Sequence, residues 1–345
     1  MDKRTKVGVI GMGSFGAAIS DLLAENTDVL LYSRSQKKIE IFNETHYLRG
    51  FKLSPRITAT NNLAEIGACN VIFPVVPSGT FRQMMHQLAP FLNPSKILIH
   101  GTKGFDVCCE DESLPPSDLI DKIQINHISE VILQESSVLR IGCLSGPNLA
   151  REILMGQPTA TVIASEFDEV IQMGQRLLSS KRFYVFGSHD LKGAELAGVL
   201  KNIFALASGI LSGKGYGKNI QAMLLTRGLG EMIALGKALG SNSMAFLGTA
   251  GIGDMIATGT SELSRNFSFG VQLGKGKPIE EIYAEIEEVV EGVRTLKFAQ
   301  VLSEKFNVQV PITNMIYRVV YEGYEIDRAI HYLMKYPGTS DVDFL

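Results

Sequence analysis

Residues 7–16 read VGVIGMGSFG, an apolar run that ends in the glycine pattern G-x-G-x-x-G. The apolar run predicts a buried strand, and the following stretch, 17–25, predicts a helix. Between the two, Gly11 permits a tight turn, Gly13 lets the backbone approach a pyrophosphate, and Gly16 lets the helix pack on the strand. The alternative is a glycine-rich turn without a ligand. Because strand, glycines and helix follow one another in the order of a βαβ unit, we predict that this segment binds a dinucleotide.

Apolar, strand-like runs alternate with helix-like stretches as far as residue 186, and only helices are predicted from residue 191 onward. The predicted strands are 7–10, 29–32, 70–73, 96–100, 140–144, 159–163 and 183–186, and the later helices are 191–212, 219–239, 278–288, 292–306 and 312–334. This order predicts an α/β Rossmann-type domain with a mainly parallel sheet, followed by an all-α C-terminal domain. We place a dinucleotide-binding domain at 1–188 and a substrate-binding, catalytic domain at 189–345. The acidic, proline-containing stretch 106–125 predicts an exposed excursion.

The composition fits two globular domains and argues against several classes of protein. Of 345 residues, 45% are hydrophobic, and the net charge of −3 argues against nucleic acid as a partner. The sequence contains no run of 18 apolar residues, so no membrane span is predicted. The glycines within 7–20 argue against a signal peptide. The four cysteines form no Cys-x-x-Cys pair, so we expect no disulfide framework and no metal site. Together these observations predict a cytoplasmic protein.

Glycine is concentrated in the predicted helical domain. Seventeen of the 34 glycines lie between Gly193 and Gly276. Inside a helix, glycine costs about 1 kcal/mol relative to alanine. We therefore expect close backbone approach in that stretch.

The end of the second predicted strand bears on the choice of cofactor. An NAD-specific site has Asp or Glu at this point, to bind the ribose 2′-hydroxyl. This chain has Tyr32, Ser33 and Arg34, and Arg34 can stack on adenine and pair with a phosphate. The sequence therefore favours NADP. A solvated basic helix start is the alternative, so use of both NAD and NADP stays open.

Lys201 lies in a stripe of small residues on one predicted helix face. The stripe consists of Ala194, Ala197, Gly198, Ala205 and Ser208. In one interpretation, the helices pack closely and the lysine extends to water. In the other, the ammonium group is partly removed from water, which lowers the pKa of a lysine and suits it to general acid–base catalysis. The pattern alone does not separate the two.

Two further segments of the helical domain combine glycine or polar residues in ways that suit a ligand. Residues 248–254 hold three glycines and end in Asp254, which fits either a ligand-binding loop or a turn between helices. Ser264, Arg265 and Asn266 precede an apolar stretch and suit a phosphate site at a helix start. The alternative for this triplet is a helix N-cap followed by a surface arginine.

In the first domain, two polar segments directly follow predicted strands. Lys103 comes after the strand that ends at His100, and Gly146 and Asn148 follow the strand 140–144. Ligands of doubly wound sheets bind beyond the carboxyl ends of the strands. Both segments are therefore placed for ligand binding, with ordinary loops as the alternative.

These segments, in this order, resemble the bacterial-type NAD(P)-dependent glycerol-3-phosphate dehydrogenase family. The resemblance covers most of the chain and rests on the glycine motif and on KGF at 103–105, SGP at 145–147, LKN at 200–202, TRGL at 226–229, AGIGD at 250–254, SRN at 264–266 and VEG at 290–292. It implies reversible hydride transfer between a nicotinamide cofactor and C2 of dihydroxyacetone phosphate, giving sn-glycerol 3-phosphate. It also implies a role that feeds glycerophospholipid synthesis. Ammonium groups suffice to stabilise the oxyanion, so no metal is expected.

The resemblance also implies roles for individual residues. Lys201 looks like the catalytic acid/base, and Asp254 and Lys103 look like further catalytic groups. The implied substrate contacts are Lys103, Gly146, Asn148, Lys201, Asp254, Ser264, Arg265 and Asn266. The implied cofactor contacts are Gly11, Gly13, Ser14, Phe15, Gly16, Arg34, Lys103, Ala150, Arg265, Val289 and Glu291.

This sequence departs from the family pattern at three places. Asn148 stands where the family usually has Ser, and its amide can still form hydrogen bonds, while Arg49 stands where the family favours Pro. The stretch from Lys103 to Gly146 is longer than expected, which suggests an insertion at 106–140.

Two other functions compete with this assignment. Another reductase of the same architecture, acting on a hydroxy or keto acid, would share the glycine motif and a lysine but would not need Ser264, Arg265 and Asn266. A nucleotide-sensing protein without activity would have no reason to keep both Lys201 and Asp254. For partners, we expect a small phosphorylated substrate, no nucleic acid, no membrane segment and a homodimer.

Overall fold

The structure is a computed structural model that describes residues 6–109, 111, 114–286 and 290–335. Of these residues, 6–106 and 126–191 form one unit, and 107–125 and 192–335 form a second.

Strands belong almost entirely to the first unit, and the longest helices belong to the second. The strands are β1 Val7–Ile10, β2 Val29–Tyr32, β3 Tyr47–Leu48, β4 Phe51–Lys52, β5 Ile57–Thr60, β6 Val71–Pro74, β7 Ile97–His100, β8 Asp106–Cys108, β9 Gln124–Asn126, β10 Arg140–Ser145, β11 Thr159–Ala164 and β12 Phe183–Ser188. The helices of the first unit are α1 Ser14–Asn26, α2 Gln36–Thr45, α3 Leu63–Gly67, α4 Phe81–Leu88, α6 Ile128–Glu135, α7 Ala150–Leu154 and α8 Asp168–Leu178. Those of the second are α5 Pro116–Leu119, α9 Leu191–Gly213, α10 Lys218–Ala238, α11 Met244–Leu247, α12 Asp254–Thr260, α13 Arg265–Gly274, α14 Ile279–Glu285, α15 Glu291–Lys305, α16 Pro311–Tyr321 and α17 Ile326–Lys335.

The first unit is built on an eight-stranded sheet in the order β12-β11-β10-β7-β6-β1-β2-β5. From β5 to β10 all neighbouring strands are parallel, in the order of the dinucleotide-binding Rossmann sheet. Strand β11 is antiparallel to β10, and β12 is parallel to β11. The predicted fold class, a mainly parallel Rossmann-type sheet followed by helices, is confirmed. The carboxyl ends of β1, β2, β6, β7 and β10 share one edge of the sheet.

Alternate side chains of the sheet face two separate hydrophobic cores. Val9 packs with residues of α1, including Ile19, in one core. Ile10 and Ile72 pack with residues of α4, including Met85, in the other. Because helices cover both faces, the strands read as continuous apolar runs rather than as alternating ones.

All seven predicted strands are present, with bounds within two residues of those observed. Strand β5 was not predicted, because the segment ITAT is short and half-exposed. In the second unit, the predicted helix 312–334 is two helices, α16 and α17. They are separated near Gly323, whose positive φ of 66° ends the first helical run. The helices α11 and α12 were not predicted, and of α13 only the start at 264–266 was, because glycine and polar residues weaken the helical pattern in this part of the chain.

The two units divide between Leu191 and Lys192, three residues after the predicted domain boundary at residue 188. One segment before that boundary does not belong to the first unit. The stretch 107–125 belongs to the second unit, because α5 packs against α15. Its Leu119 and Ile123 are only 1% and 7% exposed. This segment therefore places a few apolar side chains in a core of the second unit, while most of its described polar residues, such as Ser117 and Asp118, are exposed. Two of its acidic residues, Glu110 and Glu112, lie outside the described residues.

The longest helix, α9, is almost completely buried. By length and composition it is the one helix among the described residues that could cross a membrane, but 89% of its most apolar window lies inside the protein. Its buried positions include two charged residues, Glu195 and Lys201. These properties are those of a central core helix.

The glycines of the second unit let α9 and α13 cross at backbone contact. A Cβ atom added at Gly270 would lie 2.1 Å from the Leu206 carbonyl oxygen, and one added at Gly209 would lie 2.1 Å from the Phe267 oxygen. Gly213 and Gly274 face each other one turn further along. Only glycine fits at such a crossing, which explains part of the glycine excess.

Candidate active site

The glycine motif lies at the carboxyl end of β1, where α1 begins. Gly11 has a φ of +123°, which favours glycine. A Cβ atom at Gly16 would lie 1.7 Å from the Gly11 carbonyl oxygen, so this position also requires glycine. At Gly13 no described atom lies within 4 Å of an added Cβ, so the backbone there is open to a ligand. The three positions thus fit a dinucleotide pyrophosphate at the start of α1.

An open cleft of about 470 Å³ runs along this edge of the first unit. Gly11 and Gly13 line it, together with three cationic residues, Arg34, Lys38 and Arg49. None of the described residues that line it is acidic. The cleft therefore has the electrostatics of an anion site.

Ser14 and Phe15 occupy the first turn of α1, and both are half-buried. A Cβ atom at Gly101, just after β7, would lie 2.7 Å from the Phe15 ring. The aromatic ring therefore packs directly on the backbone that leads to Lys103.

Lys103 and Gly146 meet beyond the ends of the neighbouring strands β7 and β10. The Lys103 Nζ donates to the Gly146 carbonyl oxygen at 3.0 Å. Asn148 donates through its amide nitrogen to the Thr161 hydroxyl at 2.8 Å, and its buried amide oxygen has no hydrogen-bond partner within the described residues. The oxygen is an acceptor suited to a ligand hydroxyl. Ala150, predicted as a cofactor contact, begins α7 and packs against the core of this unit.

In the second unit, Lys201 and Asp254 form a buried ion pair. The Lys201 Nζ donates to Asp254 Oδ1 at 2.9 Å, and the two side chains are only 6% and 2% exposed. Nζ also donates to the Thr258 hydroxyl, which itself donates to Asp254 Oδ1 at 3.0 Å. The alternative in which Lys201 extends to water is therefore excluded. Asp254 and Thr258 are brought together because they lie one turn apart on α12, directly after a π-helical turn at Thr249–Gly253.

The sequence Ser264-Arg265-Asn266 is at the start of α13, as predicted, but two of its side chains bind within the protein. Ser264 is the N-cap and accepts from the Phe267 backbone N–H. Asn266 donates to Asn202 Oδ1 at 2.9 Å and accepts from the Gly292 N–H at 2.9 Å. Arg265 is exposed in the first helical turn. The triplet thus combines the N-cap interpretation, for Ser264, with an exposed guanidinium at the positive end of a helix.

Glu291, a predicted cofactor contact, opens α15 and is half-buried. Val289, another predicted contact, lies outside the described residues. Within the part of the chain that the structure describes, no group of three or more His, Cys, Asp or Glu side chains is arranged to hold a metal ion.

Two residues of the site went unrecognised in the sequence. Thr258 lies four residues after Asp254, a helical spacing that could have pointed to it. Asn202 was noticed only as part of a motif, and its contact with Asn266 spans 64 positions in the chain. No local pattern could have predicted that contact.

Comparison with known proteins identifies the family of the chain. Residues 6–171 match the sequence model of the NAD-dependent glycerol-3-phosphate dehydrogenase N-terminus, and residues 190–331 match that of its C-terminus. The chain belongs to the glycerol-3-phosphate dehydrogenase family. A glycerol-3-phosphate dehydrogenase (NAD(P)+) of Teredinibacter turnerae is 39% identical over 99% of this chain and 98% of its own length. One from Macrococcus caseolyticus is 36% identical over 97% of this chain and 99% of its own.

Solved structures include a close match in fold. The crystal structure of glycerol-3-phosphate dehydrogenase from Coxiella burnetii has a TM-score of 0.85 and 29% identity. The match covers 96% of this chain and 99% of that one. Both units of the present chain therefore have counterparts in a single known dehydrogenase.

Proposed function

We propose that the protein reduces dihydroxyacetone phosphate reversibly to sn-glycerol 3-phosphate, with NADPH as the preferred cofactor. The observation that carries the proposal is the buried cluster of Lys201, Asp254 and Thr258 in a chain of this family. Burying a lysine and a carboxylate costs desolvation free energy, and such buried charged groups are concentrated at functional sites.

The first unit would hold the cofactor. The start of α1, with Gly11, Gly13 and Gly16, suits the pyrophosphate, and the end of β2, with Arg34, suits the adenosine end. The cofactor supplies the hydride for C2 of the substrate. The end of β2 carries no carboxylate to bind a ribose 2′-hydroxyl, and Arg34 can pair with a 2′-phosphate, which supports NADP over NAD. Val289 and Glu291 are proposed as further contacts.

Lys201 would act as the acid/base. As hydride reaches C2, negative charge develops on the carbonyl oxygen, and the Lys201 ammonium donates a proton to it. In the reverse direction the neutral amine accepts the hydroxyl proton. Asp254 and Thr258 hold Nζ in one place, since both bind it directly, and the carboxylate compensates its charge in a buried site.

The substrate phosphate would be bound by Arg265 at the start of α13. A guanidinium binds phosphate oxygens through paired hydrogen bonds, and the helix dipole adds to the attraction. We assign Ser264 and Asn266 to the same phosphate site through their backbone and their support of this helix start. Lys103, Gly146 and Asn148 are assigned to the reacting end of the substrate.

The test is oxidation of NADPH in the presence of dihydroxyacetone phosphate. We expect turnover by the wild type and a loss of about 10²–10⁴-fold in kcat for Lys201→Ala, the size typical of a positioned acid/base. Lys192→Ala removes an exposed lysine from the same helix and should keep activity. A wild-type protein inactive with both NADPH and NADH would contradict the assignment, and near-normal turnover by Lys201→Ala would exclude the role of Lys201.

Cofactor preference has its own test. Arg34→Asp introduces the carboxylate of NAD-specific sites, so we expect it to weaken the use of NADPH much more than that of NADH. Equal loss with both cofactors would place Arg34 away from the 2′-phosphate.

Location and assembly are further proposals. We propose a cytoplasmic enzyme that supplies glycerol phosphate for phospholipid synthesis and forms a homodimer. Sedimentation analysis would test the dimer, and a monomer at micromolar concentration would rule it out.

A further inference from the structure

The turn between β3 and β4 places an arginine in an unfavourable backbone conformation. Leu48 pairs with Phe51, so Arg49 and Gly50 form a two-residue turn. Their φ angles are +53° and +83°, the pattern of a type I′ turn. Such turns favour Asn-Gly or Asp-Gly, because the left-handed conformation is costly for most other side chains. The turn itself therefore gives no reason for arginine.

The same arginine lines the cleft of the first unit. Arg34 reaches this cleft from the end of β2, Lys38 from the first turn of α2, and Arg49 from the hairpin. Three cations thus arrive from three independent pieces of local structure, and the described lining contains no carboxylate. Such convergence of positive charge is expected around a phosphate group.

We propose that Arg49 is a specificity-determining residue that recognises the 2′-phosphate of NADP(H) together with Arg34 and Lys38. The inference rests on the proposed function, because it assumes that the cleft binds the adenosine end of the cofactor. A phosphate monoester carries up to two negative charges, whereas NAD(H) has only a hydroxyl at this position. A guanidinium with planar, paired donors discriminates between a phosphate and a hydroxyl better than an uncharged side chain does.

The test is calorimetric titration of NADPH and NADH into Arg49→Asn, with the thermal midpoint Tm measured in parallel. Asparagine removes the charge but suits the left-handed turn, so Tm should stay the same or rise. We expect the Kd for NADPH to increase about tenfold, because one charge-assisted contact is lost. The Kd for NADH should change by less than about twofold.

Lys52→Ala is the matched control. Lys52 is an exposed residue of the same hairpin that does not line the cleft. Its loss lowers the charge of the hairpin by the same amount, so any general electrostatic effect should appear in both variants. We expect Lys52→Ala to change neither Kd by more than about twofold.

The outcomes separate this inference from the proposed function. If the wild type binds neither cofactor, the proposed function fails and the inference fails with it. If the wild type binds both cofactors, and Arg49→Asn weakens the binding of neither or of both equally, only the inference is overturned. The inference is also overturned if Lys52→Ala weakens NADPH binding as strongly as Arg49→Asn, because hairpin charge would then explain the effect. It is likewise overturned if Arg49→Asn lowers Tm together with NADPH affinity, because turn structure would then explain the effect.

Discussion

Replacing Gly270 by alanine tests whether backbone contact holds the second unit together. The added Cβ atom would lie 2.1 Å from the Leu206 carbonyl oxygen, 1.3 Å short of the 3.4 Å at which ordinary contact begins. The nearest atoms are all backbone atoms of α9, so no side chain can rotate away, and the helices must separate. Overpacking of this kind costs about 1–3 kcal/mol. An alanine at a position without close neighbours would instead stabilise the helix by about 1 kcal/mol.

Urea unfolding measures the change in the free energy of unfolding. A decrease indicates overpacking, and an increase indicates that alanine fits and stabilises the helix. We expect the free energy of unfolding to fall by about 2 kcal/mol. Because Arg265 begins α13 and Lys201 lies on α9, we also expect a higher KM for dihydroxyacetone phosphate. Gly217→Ala is the control, since Gly217 has a negative φ and no described atom within 4 Å of an added Cβ. Gly217 is the N-cap of α10 and not an interior helical residue, so alanine gains no helix propensity there. We expect the substitution to cost less than about 1 kcal/mol. A Gly270→Ala protein as stable as the wild type would refute the reasoning.

Three more predictions address other parts of the structure. Burial raises the pKa of Glu231 from 4.5 to about 7, against hydrogen bonds from Thr313 and Ile312 that lower it. The stabilisation linked to the neutral carboxyl is therefore present below about pH 4.5 and lost as the pH rises through about 7. Over this range the free energy of unfolding should fall by up to about 3 kcal/mol. In Glu231→Gln, which cannot ionise, the free energy of unfolding should depend less on pH. Arg82→Met removes bonds to Asp106 and Glu135 and leaves Asp106 buried without its guanidinium partner, so urea unfolding should show a loss of about 2 kcal/mol. Because Asp106 directly precedes 107–125, protease should also cleave that stretch faster, and unchanged cleavage would show that the ion pair does not hold the stretch in place. Thr258→Val should lower kcat about tenfold while Thr258→Ser restores it, and an unchanged kcat for the valine variant would show that the hydroxyl does not position Lys201.

The sequence predicted the sheet well, because buried parallel strands are local apolar runs with clear ends. It failed where a segment depends on distant partners. Strand β5 is recognisable mainly by its pairing with β2, and 107–125 is buried only because α5 packs on α15. The helix α13 contains glycines that weaken any local pattern, yet those glycines are what the crossing with α9 requires.

The candidate site was predictable to a similar extent. Sequence patterns singled out both Lys201 and Asp254 but left two interpretations open for each, and the family resemblance favoured a catalytic role. For Lys201, the structure separates the two through burial and the direct ion pair. Ser264 turned out to serve the N-cap role that was offered as its alternative. Arg49 was noticed only as a departure from the family, because its position near Arg34 depends on how the hairpin folds over the sheet edge.

The burial of α9 has a consequence for how activity depends on the integrity of the fold. Backbone amides in a helix this deeply enclosed exchange with solvent mainly through global opening, so they belong to the slowest-exchanging part of the molecule. Lys201 projects from the middle of that helix. The proposed proton donor is therefore fixed as firmly as the fold itself, and local fraying at the chain ends leaves it in place.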